Sequence, residues 1–432
     1  MQQFNQRREQ FFDKMLMNSM AVFPSATEKT RNNDCEYPFR QESSFLYLSG
    51  FNEPDSYIVL LKSKQGNKSI LFNRKKDKSA EIWHGYRVGQ IAAISDFNFD
   101  EAYINDDFEH QLMALMEGVE SLYYPIFQAP KLEKYLAKAV NQLRAGARKG
   151  KLAPIHFFDS LNIVNEMRLL KSEFELTLLT EVGDISAAGH VHAMKVCKPG
   201  MWEYQLEAEV KCEFARQGTR EIAYNSIVAG GNNACCLHYS ENNQQLKDGD
   251  LVLIDAGAEY QGYAGDITRT FPVNGVFSEA QAKLYQLVLD VQTRAISSVK
   301  PGVALRDINK QVVQQFVEGL VALGLLRGDV QTLIENDAIK AFYMHGIGHY
   351  IGLDVHDVGD YGSFEDSRLL EAGMVITIEP GLYVSVDANV DKYWQGIGIR
   401  IEDDVVVTET GAQVLTAGVP KSIDEIEAIM AS

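Results

Sequence analysis

Hydrophobic and polar residues follow two different periods along the first part of the chain. Residues 1 to about 25 have the spacing of an amphipathic helix, whereas the pattern from Glu42 onward is typical of strands. The predicted strands are 44–50, 56–62 and 69–75, and the predicted helices that follow lie near 109–118 and 131–148. Because alternating strands and helices are typical of α/β folds, we predict a small α/β domain over residues 1–165.

The second part of the chain begins with strong helix signals. Ser172 and Glu175 have the spacing of a capping box and precede an apolar stripe with helical period. This helix is expected to end at the Lys-Pro-Gly sequence of residues 198–200, because proline and glycine terminate helices. A second helix is expected over about 203–217, ending at Gly218.

The same signals recur later in the same order. Ser278 and Gln281 form a capping box, a second Lys-Pro-Gly sequence follows at 300–302, and another helix is expected over about 305–323. Strands punctuated by glycine follow each helix pair. Chance repetition of short motifs is the alternative, but the recurrence favours an internally duplicated α+β domain over 172–432, with a pseudo-twofold axis.

Acidic residues interrupt the apolar strands of the first copy. A tight hairpin centred on Tyr260 and Gln261 would place Asp255 directly opposite Asp266. Because like charges that face each other across strands are destabilising, three explanations remain open. The acids are splayed apart, one of them is protonated, or a cation lies between them.

The second copy repeats this feature in the strands 373–384 and 396–407. A symmetric hairpin there would place Glu379 near Glu402. For a single acid, a capped or salt-bridged carboxylate is the ordinary explanation. Four acids at paired positions in two copies favour a metal site, since buried unpaired carboxylates are costly.

Three of the nine histidines fall within one segment, residues 344–359. His345 and His349 have the spacing of a zinc-binding helix, but the glycines among them disfavour a helix and no Glu follows His345. We therefore expect a glycine-rich loop across a pocket that also carries His356. His238 precedes a polar stretch just before the first acidic strand, whereas the other histidines are assigned to ordinary core or surface positions.

Four carboxylates and one imidazole form a hard, oxygen-rich ligand set. Such a set suits Mn²⁺ or a similar ion better than a thiolate-lined zinc site would. Four acids can also hold two divalent cations with bridging carboxylates, which activate water and polarise a carbonyl group. The implied chemistry is metal-assisted hydrolysis of an amide bond.

Composition and charge exclude several classes of protein. The 432 residues include 41 Lys plus Arg and 59 Asp plus Glu, giving a net charge of −18. This charge repels phosphate backbones and anionic lipids, so we expect neither nucleic-acid nor membrane binding. The N-terminus is too polar for a secretory signal, and no apolar run is long enough to span a membrane. Five cysteines without CxxC spacing indicate a reducing cytoplasm rather than a disulfide framework.

The chain resembles the pita-bread metallopeptidases, which include methionine aminopeptidases, prolidases and Xaa-Pro aminopeptidases. The resemblance rests on sequence motifs that occur in order within about 173–432. They are DAG, whose Asp is followed by a second Asp eleven residues later, and then HGIGHYIGLDVHD, TIEPGLY and GIRIEDD. Segments 39–56 and 83–89 are similar to the Xaa-Pro aminopeptidase branch, and the bacterial aminopeptidase P type is the best match. The implied fold is a pita-bread catalytic domain preceded by a smaller α/β domain that serves substrate access and oligomerisation.

The resemblance also implies roles for individual residues. Asp255 would bind one metal, His349 and Glu379 the other, and Asp266 and Glu402 would bridge them. The attacking species would be a metal-bridging hydroxide, with Glu379 as its proton acceptor. His238 and His356 would donate hydrogen bonds to the scissile carbonyl or to the proline-side group. His345, Tyr383 and Arg400 would surround the proline ring. Trp83 and Asp34 would lie near the substrate. Arg400 is equally well explained as neutralising the acid cluster.

The function implied by the resemblance is hydrolysis of the N-terminal Xaa-Pro bond of peptides with proline in second position, by a homodimer or homotetramer. A prolidase acting on Xaa-Pro dipeptides is the main alternative. A metal-free creatinase-like hydrolase and a non-catalytic peptide-binding module rank lower, because all five ligands are present.

Overall fold

We analysed a computed structural model that describes residues 2–363 and 365–432. The chain divides into two compact units, Met1–Arg168 and Leu169–Ser432. Within the described residues, no helix combines the length and the apolar character needed to cross a membrane.

The strands of the first unit are β1 (Ser19–Pro24), β2 (Thr30–Asn32), β3 (Cys35–Glu36), β4 (Tyr57–Ser63), β5 (Gly66–Asn73), β6 (Glu101–Ile104), β7 (Ser121–Tyr124) and β8 (His156–Asp159). Six of these strands form one mixed sheet with the order β6-β5-β4-β1-β7-β8. Its helices are α1 (Gln2–Lys14), α2 (Ser43–Ser49), α3 (Lys78–His84), α4 (Gly89–Ser95), α5 (Phe108–Met116), α6 (Pro130–Ala145) and α7 (Leu161–Leu169). The strand β1 pairs antiparallel with β4 and parallel with β7.

Two predicted elements of this unit are wrong. The first helix ends at Lys14 and residues 19–24 form the central strand β1, which is buried and therefore lacks the alternation that marks a half-exposed strand. Residues 44–50 were predicted as a strand, but 44–49 belong to helix α2 and Gly50 ends that helix. The Glu42 carboxylate accepts the backbone N–H groups of Ser44 and Phe45 at 3.0 and 2.7 Å, which caps that helix. The strands predicted at 56–62 and 69–75 are confirmed as β4 and β5.

The second unit contains two helix pairs, each followed by strands. Its helices are α8 (Glu173–Val196), α9 (Glu203–Gln217), α10 (Glu279–Ser298), α11 (Leu305–Ala322), α12 (Val330–Glu335) and α13 (Ile423–Met430). Its strands are β9 (Ile227–Gly230), β10 (Leu251–Asp255), β11 (Glu259–Tyr260), β12 (Tyr263–Ala264), β13 (Thr268–Pro272), β14 (Val375–Ile378), β15 (Gly381–Val384), β16 (Ile397–Arg400), β17 (Asp403–Val407) and β18 (Ala412–Val414). The predicted helix order and both capping boxes are confirmed.

The two copies share backbone contacts at equivalent positions. After the first Lys-Pro-Gly sequence, the N–H of Gly200 donates to the Leu246 carbonyl at 2.8 Å. After the second, the N–H of Gly302 donates to the Leu370 carbonyl at 2.9 Å. In both copies the linker between the helices is thus tied to a segment that precedes a strand, as expected for an internally duplicated domain.

Candidate metal centre

The four predicted acids lie at the ends of strands or at breaks in them. Asp255 ends β10 and Asp266 precedes β13, while Glu379 and Glu402 occupy the gaps between β14 and β15 and between β16 and β17. Pro380 follows Glu379 and has no N–H to donate, so the ladder is interrupted there. Asp266, Glu379 and Glu402 therefore lie outside the regular strands, whereas Asp255 is the last paired residue of β10.

The register of the first strand pair differs from the prediction. The turn lies at Gln261 and Gly262, whose φ angles of 51° and 87° are both left-handed. This shift places Asp255 opposite Thr268 rather than opposite Asp266. The two acids are therefore diagonal neighbours, and the predicted direct pairing is wrong.

The register of the second strand pair agrees with the prediction. Ile378 pairs with Asp403 on one side of the gap, and Gly381 pairs with Arg400 on the other. The same register places Glu379 across from Glu402. Sequence reasoning was accurate here because the hydrophobic pattern continues on both sides of the acids.

Thr268 connects the two halves of the duplication. It forms an isolated antiparallel bridge with Glu402, and its hydroxyl donates to a Glu402 carboxylate oxygen at 2.6 Å. The side chain of Arg400 donates to the same hydroxyl at 3.0 Å and pairs with Asp255. Acids from both copies therefore meet at one centre.

His349 faces this centre with a free ring nitrogen. Its Nδ1 lies 3.0 Å from the Tyr350 carbonyl, which accepts a hydrogen bond and so fixes the proton on Nδ1. Its Nε2 lies 3.6 Å from a carboxylate oxygen of Asp266 and 3.7 Å from one of Glu379. One ligand atom each from Asp266, His349 and Glu402 lie within 4.8 Å of one another, which is a geometry suited to a metal ion.

The histidine segment is a loop, as predicted, and close packing holds it. A Cβ atom on Gly348 would lie 1.9 Å from the Thr377 carbonyl oxygen, so this position requires glycine. At the far end of the loop, Asp357 forms a salt bridge of 3.0 Å with Lys171, and both side chains are buried. Breaking such a pair would leave an uncompensated buried charge, which makes it a strong anchor for the loop.

The electrostatics of the centre favour a bound cation. Burial, together with repulsion from neighbouring acids, raises the pKa values of Asp266 and Glu402 well above their usual range. Burial also raises the pKa of Glu379 to about 7, although Arg400 opposes this shift. Burial lowers the pKa of His349 to about 4, so its imidazole is neutral and able to ligate at neutral pH.

A cavity of about 500 Å³ contains most of the predicted site residues. Its lining includes the predicted residues His238, Asp255, Asp266, His345, His349, His356, Glu379, Arg400 and Glu402. The lining residues all belong to the second unit. The predicted substrate contacts of Trp83 and Asp34 stay predictions.

Tyr383 adjoins this cavity through two lining residues. Arg400 donates to the Tyr383 hydroxyl at 3.0 Å, and that hydroxyl lies 2.8 Å from Nε2 of His345. Burial lowers the pKa of His345 to about 4, and its Nδ1 lies 2.8 Å from the Gly346 carbonyl. The neutral ring therefore donates from Nδ1 and accepts the tyrosine proton at Nε2, which fixes three side chains in one chain of hydrogen bonds.

Sequence reasoning missed Tyr224. Its hydroxyl lies 2.5 Å from a carboxylate oxygen of Asp255 and 2.5 Å from one of Asp266. Burial and these acids raise its pKa well above the usual range, so the phenol keeps its proton and acts as a donor. Tyr224 lies in an irregular segment before β9, where no periodicity or motif marks it.

Comparison with known proteins agrees with this geometry. A family model described as metallopeptidase family M24 matches residues 177–409, and one described as the aminopeptidase P N-terminal domain matches residues 4–123. This chain therefore belongs to metallopeptidase family M24. The fold and family inferred from the sequence motifs are confirmed.

Several relatives of this chain are named as aminopeptidases. The chain is 48% identical over 430 residues to the Xaa-Pro aminopeptidase of Escherichia coli (strain K12), covering 99% of this chain and 97% of the relative. Among solved structures, proline aminopeptidase P II from Yersinia pestis has a TM-score of 0.97 at 49% identity, covering 100% of this chain and 99% of that one. Zinc-substituted E. coli aminopeptidase P in complex with product has a TM-score of 0.98 at 48% identity, covering 100% and 98%.

The raised pKa of Glu379 predicts how stability depends on pH once metal is removed by chelation. Ionisation of Glu379 destabilises the folded, metal-free protein. This cost in folding free energy is absent below the ordinary pKa of 4.5, and it grows as the pH rises to about 7. The melting temperature of the chelated protein should fall over this range, by at least about 4 °C more than in Glu379→Gln. Saturating Mn²⁺ should restore stability at pH 8. If the melting temperatures of the chelated wild type and of chelated Glu379→Gln changed equally with pH, the raised pKa of Glu379 would be contradicted.

Proposed function

We propose that this chain is a metal-dependent Xaa-Pro aminopeptidase, which releases the N-terminal residue from peptides with proline in second position. The observation that carries this proposal is the convergence of acids from both copies with His349 in one cavity. Membership of family M24 and the similarity to Xaa-Pro aminopeptidases over nearly the full chain support it.

Two divalent ions, for which we propose Mn²⁺, fit the donor set of this cavity. Asp255 would hold one ion, His349 and Glu379 would hold the other, and Asp266 and Glu402 would contribute to both. The raised pKa values of the buried acids support this assignment, because divalent cations would offset the cost of burying ionised carboxylates and the repulsion between them. Such ions would supply Lewis acidity toward the scissile carbonyl and acidity to bound water.

Glu379 is the proton carrier in this proposal. Its carboxylate lies in the cavity within 3.7 Å of His349, where it has the geometry to take up and release a proton. His238 and His356 line the same cavity and can donate hydrogen bonds to the substrate carbonyl or to the proline side. The His356 ring lies 4.2 Å from the His349 ring, so it is close to the reacting group.

The proline preference is assigned to His345, Tyr383 and Arg400. The Xaa-Pro bond is a tertiary amide without an N–H, and its ring restricts the backbone. A rigid wall of imidazole and phenol rings can select that ring by shape, and the hydrogen bonds among these three side chains provide the rigidity. The substrate α-amine would pair with the acid cluster, which confines cleavage to the first bond.

We further propose a homodimer or homotetramer, located in the cytoplasm. Large apolar side chains exposed on α3, on α4 and on the connection between them support self-association through the first unit, since such patches mark interaction sites. These side chains are Ile82, Trp83, Tyr86 and Ile91. Five free cysteines support a reducing compartment. We assign access and assembly to residues 1–165 and catalysis to residues 172–432.

A panel of peptides distinguishes this function from that of a prolidase. With Mn²⁺ present, X-Pro-Y tripeptides should be cleaved to a free amino acid and Pro-Y, because the site confines cutting to the first bond. Liquid chromatography would quantify both products. Turnover of X-Pro dipeptides alone would reject the aminopeptidase in favour of the prolidase. Full activity after exhaustive chelation would reject metal dependence.

Replacing Glu379 by Gln tests the proton carrier. Glu379→Gln should fold normally yet lower kcat on X-Pro-Y peptides by about 10³-fold, because the amide cannot accept the proton. The matched control is Glu335→Gln, an exposed residue of α12, which should behave as wild type. Wild-type kcat in a correctly folded Glu379→Gln variant would show that the role is wrongly assigned.

A further inference from the structure

Glu203 is a fully buried acid that accepts four hydrogen bonds. It is the first residue of α9, and its exposed fraction is 0%. One carboxylate oxygen accepts the backbone N–H of Gly230 at 2.8 Å and the Asn233 side-chain amide at 2.9 Å. The other accepts the Tyr239 hydroxyl at 2.7 Å and the backbone N–H of Gln244 at 2.8 Å. A buried carboxylate is costly unless it is satisfied in this way.

All four donors belong to the segment 230–244, which carries His238 into the cavity. Two of them lie before His238 and two after it, and Tyr239 is its direct neighbour. The backbone N–H of Glu203 also donates to the Gln244 carbonyl at 2.9 Å. Glu203 therefore fixes both arms of this segment, here named the His238 loop.

The His238 ring has little else to hold it in place. His238 is exposed on the cavity, and within residues 2–363 and 365–432 its ring makes no hydrogen bond. Its position is therefore set by the backbone on which it is mounted. Burial and the bond to Glu203 raise the pKa of Tyr239 to about 12, so this phenol remains a donor at neutral pH.

The internal duplication shows that helix formation does not require this acid. Glu203 follows the first Lys-Pro-Gly sequence, and Leu305 occupies the equivalent position after the second. Leu305 is likewise the first residue of its helix, α11. A leucine thus starts the equivalent helix, so the glutamate serves the loop that it holds.

We propose that Glu203 is a positioning residue, which acts on peptide hydrolysis by holding His238 in its place in the cavity. This inference rests on the proposed function for its effect on rate. None of the four residues that donate hydrogen bonds to the Glu203 carboxylate lines the cavity, whereas His238, which lies between them in the sequence, does, so we assign the effect of Glu203 on catalysis to His238. In a Glu203 variant the buried Tyr239 hydroxyl and the partly buried donors of Gly230, Asn233 and Gln244 would lose their acceptor, which loosens the loop.

A double-mutant cycle on kcat tests this coupling. Glu203→Gln retains the shape of the side chain but turns an amide NH₂ group toward two of the donors. It should lower kcat on the order of 10- to 100-fold by misplacing His238, with KM and bound metal per chain near wild type. In a His238→Ala background, the same change should cost less than about twofold, because the group that it positions is gone. Equal costs in both backgrounds would overturn the proposal.

A control variant and a milder variant keep this test interpretable even if Glu203→Gln misfolds. Glu213→Gln makes the same chemical change on the same helix, where the Glu213 carboxylate accepts hydrogen bonds from Arg216 and Gln217, and should leave kcat unchanged. Should Glu203→Gln fail to fold, Tyr239→Phe removes a single donor and should lower kcat by about threefold, again only when His238 is present. A Tyr239→Phe effect of equal size in His238→Ala would refute the coupling.

Hydrogen exchange separates this inference from the proposed function. Amide exchange in residues 231–244 should be faster in Glu203→Gln than in Glu213→Gln, while exchange in β10 stays unchanged. This readout requires no turnover. A wild-type protein that cleaves no X-Pro-Y peptide refutes the proposed function alone, whereas unchanged exchange in the loop refutes the role of Glu203.

Discussion

Buried carboxylates repel one another, and this repulsion is the constraint that organises the second unit. Asp266 and Glu402 lie in one buried centre, where burial and their neighbours raise both pKa values. Donors surround the centre, including the Thr268 and Tyr224 hydroxyls and the Arg400 guanidinium, and each offsets part of the cost. One guanidinium does not balance four ionised acids, and a bound cation would offset the repulsion that remains.

Local signals made much of the fold predictable. The capping boxes at Ser172 and Ser278 and the Lys-Pro-Gly sequences act within a few residues, so the helix pairs and the duplication could be inferred. The errors had both distant and local causes. Residues 19–24 are a strand because the distant strands β4 and β7 flank them, whereas residues 44–49 are helical with the adjacent Glu42 side chain as their cap. The first hairpin was misplaced by one residue, since Gln261 adopts a left-handed φ that its residue type does not reveal.

The candidate ligands were predictable because charge interrupts apolar strands in a repeated pattern. The residues that support them were not. Tyr224, Thr268 and Glu203 act on partners that are distant in the sequence, and none belongs to a motif that marks its contact. The duplication supplies a partial signal for Glu203, since only one of the two equivalent helix starts carries an acid. Sequence patterns thus identify groups that carry charge more readily than groups that hold them in place.

The most direct test of the account is anomalous diffraction from crystals of the protein grown with Mn²⁺. We predict two anomalous peaks about 3.5–4 Å apart. They should lie within bonding distance of Asp255, Asp266, His349, Glu379 and Glu402, and both should weaken in crystals of Glu402→Gln. A crystal in which saturating Mn²⁺ leaves these side chains without a peak would contradict the claim that cations hold the acids together.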